Sequence, residues 1–169
     1  MTILQSVLTV LVSLLGSGVV SAYVTHKLAS SEKRRELMRQ KLEQLYLCGV
    51  DYQNMLFLTA TMSAAYHGGK VDKEAVTTLF NKDAEKNKET NNNLNMLCHI
   101  YFPHLVPFLD SIRKHQDNMG NAGLKAAVFG ESPDKQKGSQ ILIELRSQKK
   151  IFDDFNQEVF KTGLEINAR

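Results

Sequence analysis

The chain has 169 residues, of which 43% are hydrophobic, so it holds enough apolar material for one compact domain and is not disordered throughout. Residues 27–41 include six basic and two acidic side chains, so this stretch has a net charge of +4, whereas the whole chain carries only +3. Because the basic excess is confined to this stretch, no face of the folded domain would attract nucleic acid, and we exclude nucleic acid as a partner.

The first predicted element is a transmembrane anchor over residues 1–26. No charged side chain occurs between Thr2 and Thr25, and a helix of this length extends about 36 Å, enough to cross a hydrocarbon core about 30 Å thick. Basic residues beside a span stay in the cytoplasm, which predicts a single-pass protein of the inner membrane with its N-terminus outside and its C-terminal domain cytoplasmic. The predicted topology or lipid-headgroup residues are Lys27, Lys33, Arg34, Arg35, Arg39 and Lys41.

A cleaved signal peptide is the alternative reading of the same segment. Val20, Ser21 and Ala22 are small enough for a cleavage site, which would release an exported helical domain. The basic cluster follows the apolar run rather than preceding it, however, and this order favours an anchor.

Small residues recur along the predicted span. Ser13, Ser17 and Ser21 are four residues apart, and Gly18 with Ala22 forms a second pair. Such a stripe allows close helix packing in lipid, with a second copy or with a partner's span. Glycine and serine are also common in spans without any interface, so both readings remain open.

Beyond a basic juxtamembrane stalk over residues 27–41, we predict a cytoplasmic helical bundle over residues 42–169. One long helix over 29–66 carries apolar or small residues at alternating spacings of four and three, as in a coiled coil, and ends at His67-Gly68-Gly69. The predicted seam consists of Met38, Leu42, Leu45, Gly49, Tyr52, Leu56, Thr59, Ser63 and Tyr66.

Asp72 is a predicted N-cap for a second helix. The polar stretch 81–93 that follows is either an exposed helix or a loop. Apolar residues return from Leu94, and Pro103 with Pro107 predicts a break before a further helix over 104–118.

The segment 119–138 is rich in glycine and is predicted as a loop around a short turn at 124–129. The last helix, predicted over 133–166, repeats the 4-3 spacing. We therefore predict an all-α fold, an antiparallel bundle of three or four helices. The second seam consists of Ile141, Leu145, Gln148, Phe152, Phe155, Val159, Thr162 and Ile166.

The sequence carries no pattern for catalysis, a metal or a cofactor. No Glu lies three residues before any histidine that could face the bundle core, and Val71 follows Gly69-Lys70 where a phosphate-binding loop needs Ser or Thr. Cys48 and Cys98 lack a nearby second cysteine, which is typical of small buried side chains in a reducing compartment. We therefore predict no catalytic residue, no metal, no cofactor and no small-molecule substrate.

The aromatic step at the proline break has two readings. Tyr101, Phe102 and Pro103 could contact a partner, or they could close the end of the bundle core. Large aromatic side chains at such a break more often pack into the core.

Together these patterns predict a membrane-tethered, non-enzymatic helical interaction or scaffold module. It would present its bundle to a protein partner or to a second copy, with membrane lipid as a further contact. The alternative is a membrane-associated sensor or effector whose span oligomerises or perturbs the bilayer. The arrangement is common among small bacterial single-span proteins, but no diagnostic motif identifies a family.

Overall fold

The computed structural model describes residues 3–82, 84–121, 123 and 126–168, and the side chains of these from residue 25 onward. All regular elements in this part of the chain are helical, which confirms the all-α prediction. They are α1 (Ile3–His67), α2 (Lys73–Lys82), α3 (Ala84–Tyr101), a 3₁₀ turn (Pro103–Leu105), α4 (Val106–Asn121), α5 (Ala126–Phe129) and α6 (Lys135–Ala168).

The chain divides into two compact units. The first, Met1–Arg39, holds the N-terminal part of α1, and the second, Gln40–Arg169, holds the remainder of α1 and all other elements. The predicted division into an anchor over 1–26, a stalk over 27–41 and a bundle over 42–169 assigns roles to these segments, and it stays a prediction.

The predicted inner-membrane localisation is contradicted. Among the residues that the structure describes, no helix is both long enough and apolar enough to cross a membrane. From Lys27 onward α1 carries ten charged side chains, nine of them between Lys27 and Glu43, and such side chains cost about 2.5 to 3.5 kcal/mol each at the centre of a bilayer. All of the apolar run over 2–25 except Thr25 lies outside the residues whose side chains are described.

Helices α1 and α6 run antiparallel along the two predicted seams. The rings of Tyr52 and Phe152 meet edge to face at 6.4 Å, and a Cβ atom at Gly49 would lie 3.0 Å from the ring of Phe155. Further along α1, Ala60 packs against residues near the start of α6. The predicted positions are confirmed by burial, since seven of the eight α6 seam residues are buried. The buried α1 seam residues are Leu45, Gly49, Tyr52, Leu56, Ser63 and Tyr66.

Helices α3 and α4 complete the bundle. His104, just before α4, contacts Thr162 near the end of α6, whereas His115 contacts Glu144 near its beginning, so α4 runs antiparallel to α6. Asn95 of α3 hydrogen-bonds Arg113 of α4, and α3 reverses direction again. The four helices therefore form an antiparallel bundle, as predicted.

Helix ends follow local chemistry. At the end of α1, Gly69 adopts a φ of 70° and its N–H bonds the carbonyl of Tyr66, while the N–H of Lys70 bonds the carbonyl of Ala65, which together form a Schellman motif. Asp72 caps α2 through a 2.8 Å bond to the N–H of Ala75, as predicted. The proline break after Tyr101 is also confirmed.

The glycine-rich connection is shorter than predicted. Helix α4 continues to Asn121 and α6 begins at Lys135, so Gly120 and Gly138 lie inside helices rather than in a loop. The polar residues 84–93 are helical as the exposed first turns of α3. Glycine content alone therefore overestimates the loop, because a glycine costs a helix only about 1 kcal/mol and does not by itself end it.

Candidate interaction surface

Helix α6 presents large apolar side chains to solvent although its inward seam is already filled. Leu142, Ile143, Phe160 and Leu164 are 41%, 55%, 68% and 56% exposed. Leu142 and Phe160 are five helical turns apart and so share one side of the helix, about 27 Å from each other. We call these residues, with the charged ones between them, the α6 face.

Four charged side chains lie between the apolar ends of the α6 face. Lys149 and Lys150 precede Asp153 and Asp154, so each lysine stands four residues before an aspartate. All four are exposed, and among the described residues neither Lys149 and Asp153 nor Lys150 and Asp154 form an ion pair. The centre of this face therefore carries charges available to an incoming surface.

The side of α1 that adjoins α6 adds two exposed aromatic side chains, Tyr46 at 47% and Phe57 at 53%. Between the two helices lies a cavity of about 100 Å³, with Phe57 from α1 and both Gln148 and Lys149 from α6 in its wall. Since Lys149 belongs to the α6 face, the cavity opens beside that face.

Gln148 is a buried amide without a partner. It is 1% exposed, and among the described residues neither its Oε1 nor its Nε2 has a hydrogen-bond partner. The sequence placed Gln148 in the seam correctly but gave no sign that the amide would lack partners. An unpaired buried amide costs stability, by about 1 to 3 kcal/mol.

His67 joins three separate segments of the chain. Its Nδ1 accepts a 3.0 Å hydrogen bond from the backbone N–H of Asp134, so Nε2 carries the hydrogen and donates to the carbonyl of Gly123 at 3.0 Å. Beside it, the hydroxyl of Tyr66 donates to the carbonyl of Glu131. From the sequence, His67 was interpreted as part of a helix stop and rejected as a metal ligand, and this role was missed. We call this arrangement the His67 clasp.

Gly138 makes the close approach at the clasp feasible. A Cβ atom there would lie 2.9 Å from Cβ of His67 and 3.1 Å from the carbonyl oxygen of Ala64. The sequence reading assigned Gly138 to a loop and so gave no sign of this close approach.

Helices α4 and α6 also share a polar contact. Nδ1 of His115 donates to the Glu144 carboxylate at 2.7 Å, and the amide of Asn118 donates to the same oxygen at 3.3 Å. The hydrogen bond from His115 is the main cause that lowers the pKa of Glu144 below its ordinary value, and the bond from Asn118 adds to it.

Both cysteines are free thiols. Cys98 is fully buried in α3, and this burial raises the pKa of its thiol to about 12. Cys48 is partly buried, and burial followed by the negative charge of Asp51 raises the pKa of its thiol. The buried-thiol prediction is confirmed for Cys98.

The other predicted site residues are the small residues of the predicted span and the six basic residues of the predicted stalk. Ser13, Ser17, Gly18, Ser21 and Ala22 lie outside the residues whose side chains are described. The six basic residues are distributed along α1, with Arg39 3.9 Å from Glu36 and the ammonium of Lys41 5.6 Å from the ring centre of Tyr101. A lipid-headgroup or topology role for these residues stays a prediction.

The aromatic step at the proline break is divided between core and surface. Phe102 is 1% exposed and packs in the core, whereas Pro103 is exposed and Tyr101 is half-buried. Burial of Phe102 agrees with the reading in which this step closes the bundle. Partner contact through Tyr101 and Pro103 stays a prediction.

Comparison with known proteins adds no assignment. No protein-family model, curated protein or solved structure matches the chain. Within the described residues, no group of three or more His, Cys, Asp or Glu side chains is placed to hold a metal ion.

Proposed function

We propose that this chain is a non-enzymatic helical interaction module that binds a protein through the α6 face. The observation that carries the proposal is the exposure of Phe160, at 68%, on a helix that already buries seven of its eight seam residues on the opposite side. The bundle core gains nothing from an aromatic residue at this position.

Physical chemistry favours a protein as the partner. Exposed apolar side chains grouped on one face of a domain are typical of association surfaces, and aromatic residues contribute most to binding when they become buried there. Burying a phenylalanine side chain fully contributes about 1.5 to 3 kcal/mol. The lysines and aspartates between the apolar ends would orient the partner, because charges determine register and specificity more than affinity.

Photo-crosslinking in the cells that make the protein tests this proposal. Phe160 is replaced by benzoylphenylalanine in the full chain, and a matched variant carries the same crosslinker at Ile100, which is 64% exposed on α3. We expect a discrete protein adduct from position 160 that is absent from position 100. No adduct at position 160, or the same adducts at both positions, would contradict the proposal.

A further inference from the structure

Reading the α6 face in reverse leaves its two ends apolar but exchanges the signs of its central charges. Its basic pair, Lys149 and Lys150, and its acidic pair, Asp153 and Asp154, are symmetric about the midpoint between residues 151 and 152. The large apolar side chains at the two ends, Leu142 and Phe160, are nearly equidistant from the same midpoint. When two copies run antiparallel, such a surface sets opposite charges and apolar ends against each other, so it is complementary to itself across a two-fold axis.

We propose that the partner of the α6 face is a second copy of this chain, paired through an antiparallel contact of the two α6 helices. This inference rests on the proposed function, because it names the partner of the same face.

Helix geometry fixes which residues meet in such a pair. A two-fold axis perpendicular to α6 brings together positions of the two copies whose residue numbers add to about 303. The two positions must also lie on the same side of the line along which the helices touch. Lys149 then faces Asp153 of the second copy, and Lys150 faces Asp154. Each contact occurs twice by symmetry. Leu142 of one copy meets Phe160 of the other at both ends of the contact.

Alternative arrangements of these charges are weaker. A parallel pair would place lysine against lysine and aspartate against aspartate, which repel each other. Pairing within one helix is weak too, because the basic residue precedes the acidic one at a spacing of four, the less favourable order. The described structure accordingly contains neither intrahelical pair.

The contact is a helix face rather than a broad surface, so we expect weak, reversible association in the micromolar range, that is, Kd on the order of 1 to 100 μM. Leu142 and Phe160 supply the apolar burial, and the lysine–aspartate pairs determine the register. We therefore expect the affinity of the dimer to depend most strongly on the signs of the charges at residues 149, 150, 153 and 154.

Charge exchange in the full chain tests the inference by sedimentation equilibrium. An all-acidic variant carries K149D and K150D, and an all-basic variant carries D153K and D154K. We expect each alone to associate at least about tenfold more weakly than the natural chain, and an equimolar mixture to associate again. A variant with all four changes has the pattern inverted but still self-complementary, and it should dimerise as the natural chain does.

Three results would overturn the inference: a natural chain that stays monomeric at about 100 μM, single-block variants that associate like the natural chain, or a four-change variant that does not associate. Each variant's circular dichroism and melting temperature should match those of the natural chain, since these side chains are exposed and unpaired. If the chain is monomeric while position 160 still crosslinks to a different protein, the interaction module stands and only the second copy is excluded.

Discussion

Nδ1 of His67 accepts a hydrogen bond from the backbone N–H of Asp134 at 3.0 Å, across 67 positions of sequence. Because Asp134 also caps α6, with its carboxylate 2.8 Å from the N–H of Gln136, the same residue both starts α6 and holds it to the end of α1. The bond from His67 to the carbonyl of Gly123 attaches the α4–α5 connection to the same point. The relative positions of the end of α1, the start of α6 and the α4–α5 connection thus depend on the neutral imidazole of His67.

Replacing His67 by phenylalanine tests the His67 clasp. The new ring occupies similar space but leaves the N–H of Asp134 and the carbonyl of Gly123 without their partner, so we expect a loss of about 2 to 4 kcal/mol in the free energy of unfolding. Urea denaturation of the full chain measures it. His99→Phe, at an exposed position of α3, is the control and should change stability little. Equal denaturation midpoints for the two variants would show that the His67 clasp does not stabilise the fold.

Gly138→Ala and Gly120→Ala should have opposite effects although both glycines lie in helices. Alanine favours a helix by about 1 kcal/mol over glycine, and nothing lies within 4 Å of a Cβ atom at Gly120, so that variant should gain about 0.5 to 1 kcal/mol. At Gly138 the new methyl group meets Cβ of His67 at 2.9 Å, and we expect a net loss of about 1 to 3 kcal/mol. Thermal melting of both variants decides, and a stabilised Gly138→Ala would show that α1 and α6 can separate at no cost.

Gln148→Leu should raise the melting temperature. Leucine fills similar space in the seam and removes a buried amide that has no partner, for a gain of about 1 to 3 kcal/mol. Gln148→Glu keeps the shape but buries an unpaired charge, and it should lose several kcal/mol, on the order of 3 or more. If both variants destabilise the bundle equally, the amide has a polar partner such as a buried water molecule.

Stability in acid should depend on Glu144. Its folded pKa lies below the ordinary value of 4.5, so the carboxylate contributes stability above that pH, and this contribution is lost as the pH falls below 4.5 through the folded pKa. Melting temperatures of the natural chain and of Glu144→Gln, followed from about pH 7 to about pH 3, should converge at the acid end. Glu165→Gln, at an exposed site, should follow the natural chain. A constant difference at every pH would mean that the carboxylate charge is not involved.

The sequence predicted those features of the bundle that depend on residues close to one another in the chain. The 4-3 spacing that places Ile141 and Phe155 in the core is a property of one helix and can be seen in any window of a few turns. The clasp could not be predicted in this way, because His67 and Gly123 are 56 residues apart and neither carries a pattern that points to the other. Gly120 and Gly138 even misled the prediction, since the sequence does not distinguish a glycine inside a helix from one that forms a turn.

The burial of Cys98 gives the chain an internal measure of how often α3 leaves the bundle. Only a thiolate reacts with disulfide reagents, and a fully buried thiol with a pKa of about 12 supplies almost none until it reaches water. In a Cys48→Ser background, the rate at which Cys98 is modified therefore reports local opening of α3, separately from global unfolding. Modification rates measured at rising urea concentration would show whether α3 detaches before the rest of the bundle unfolds.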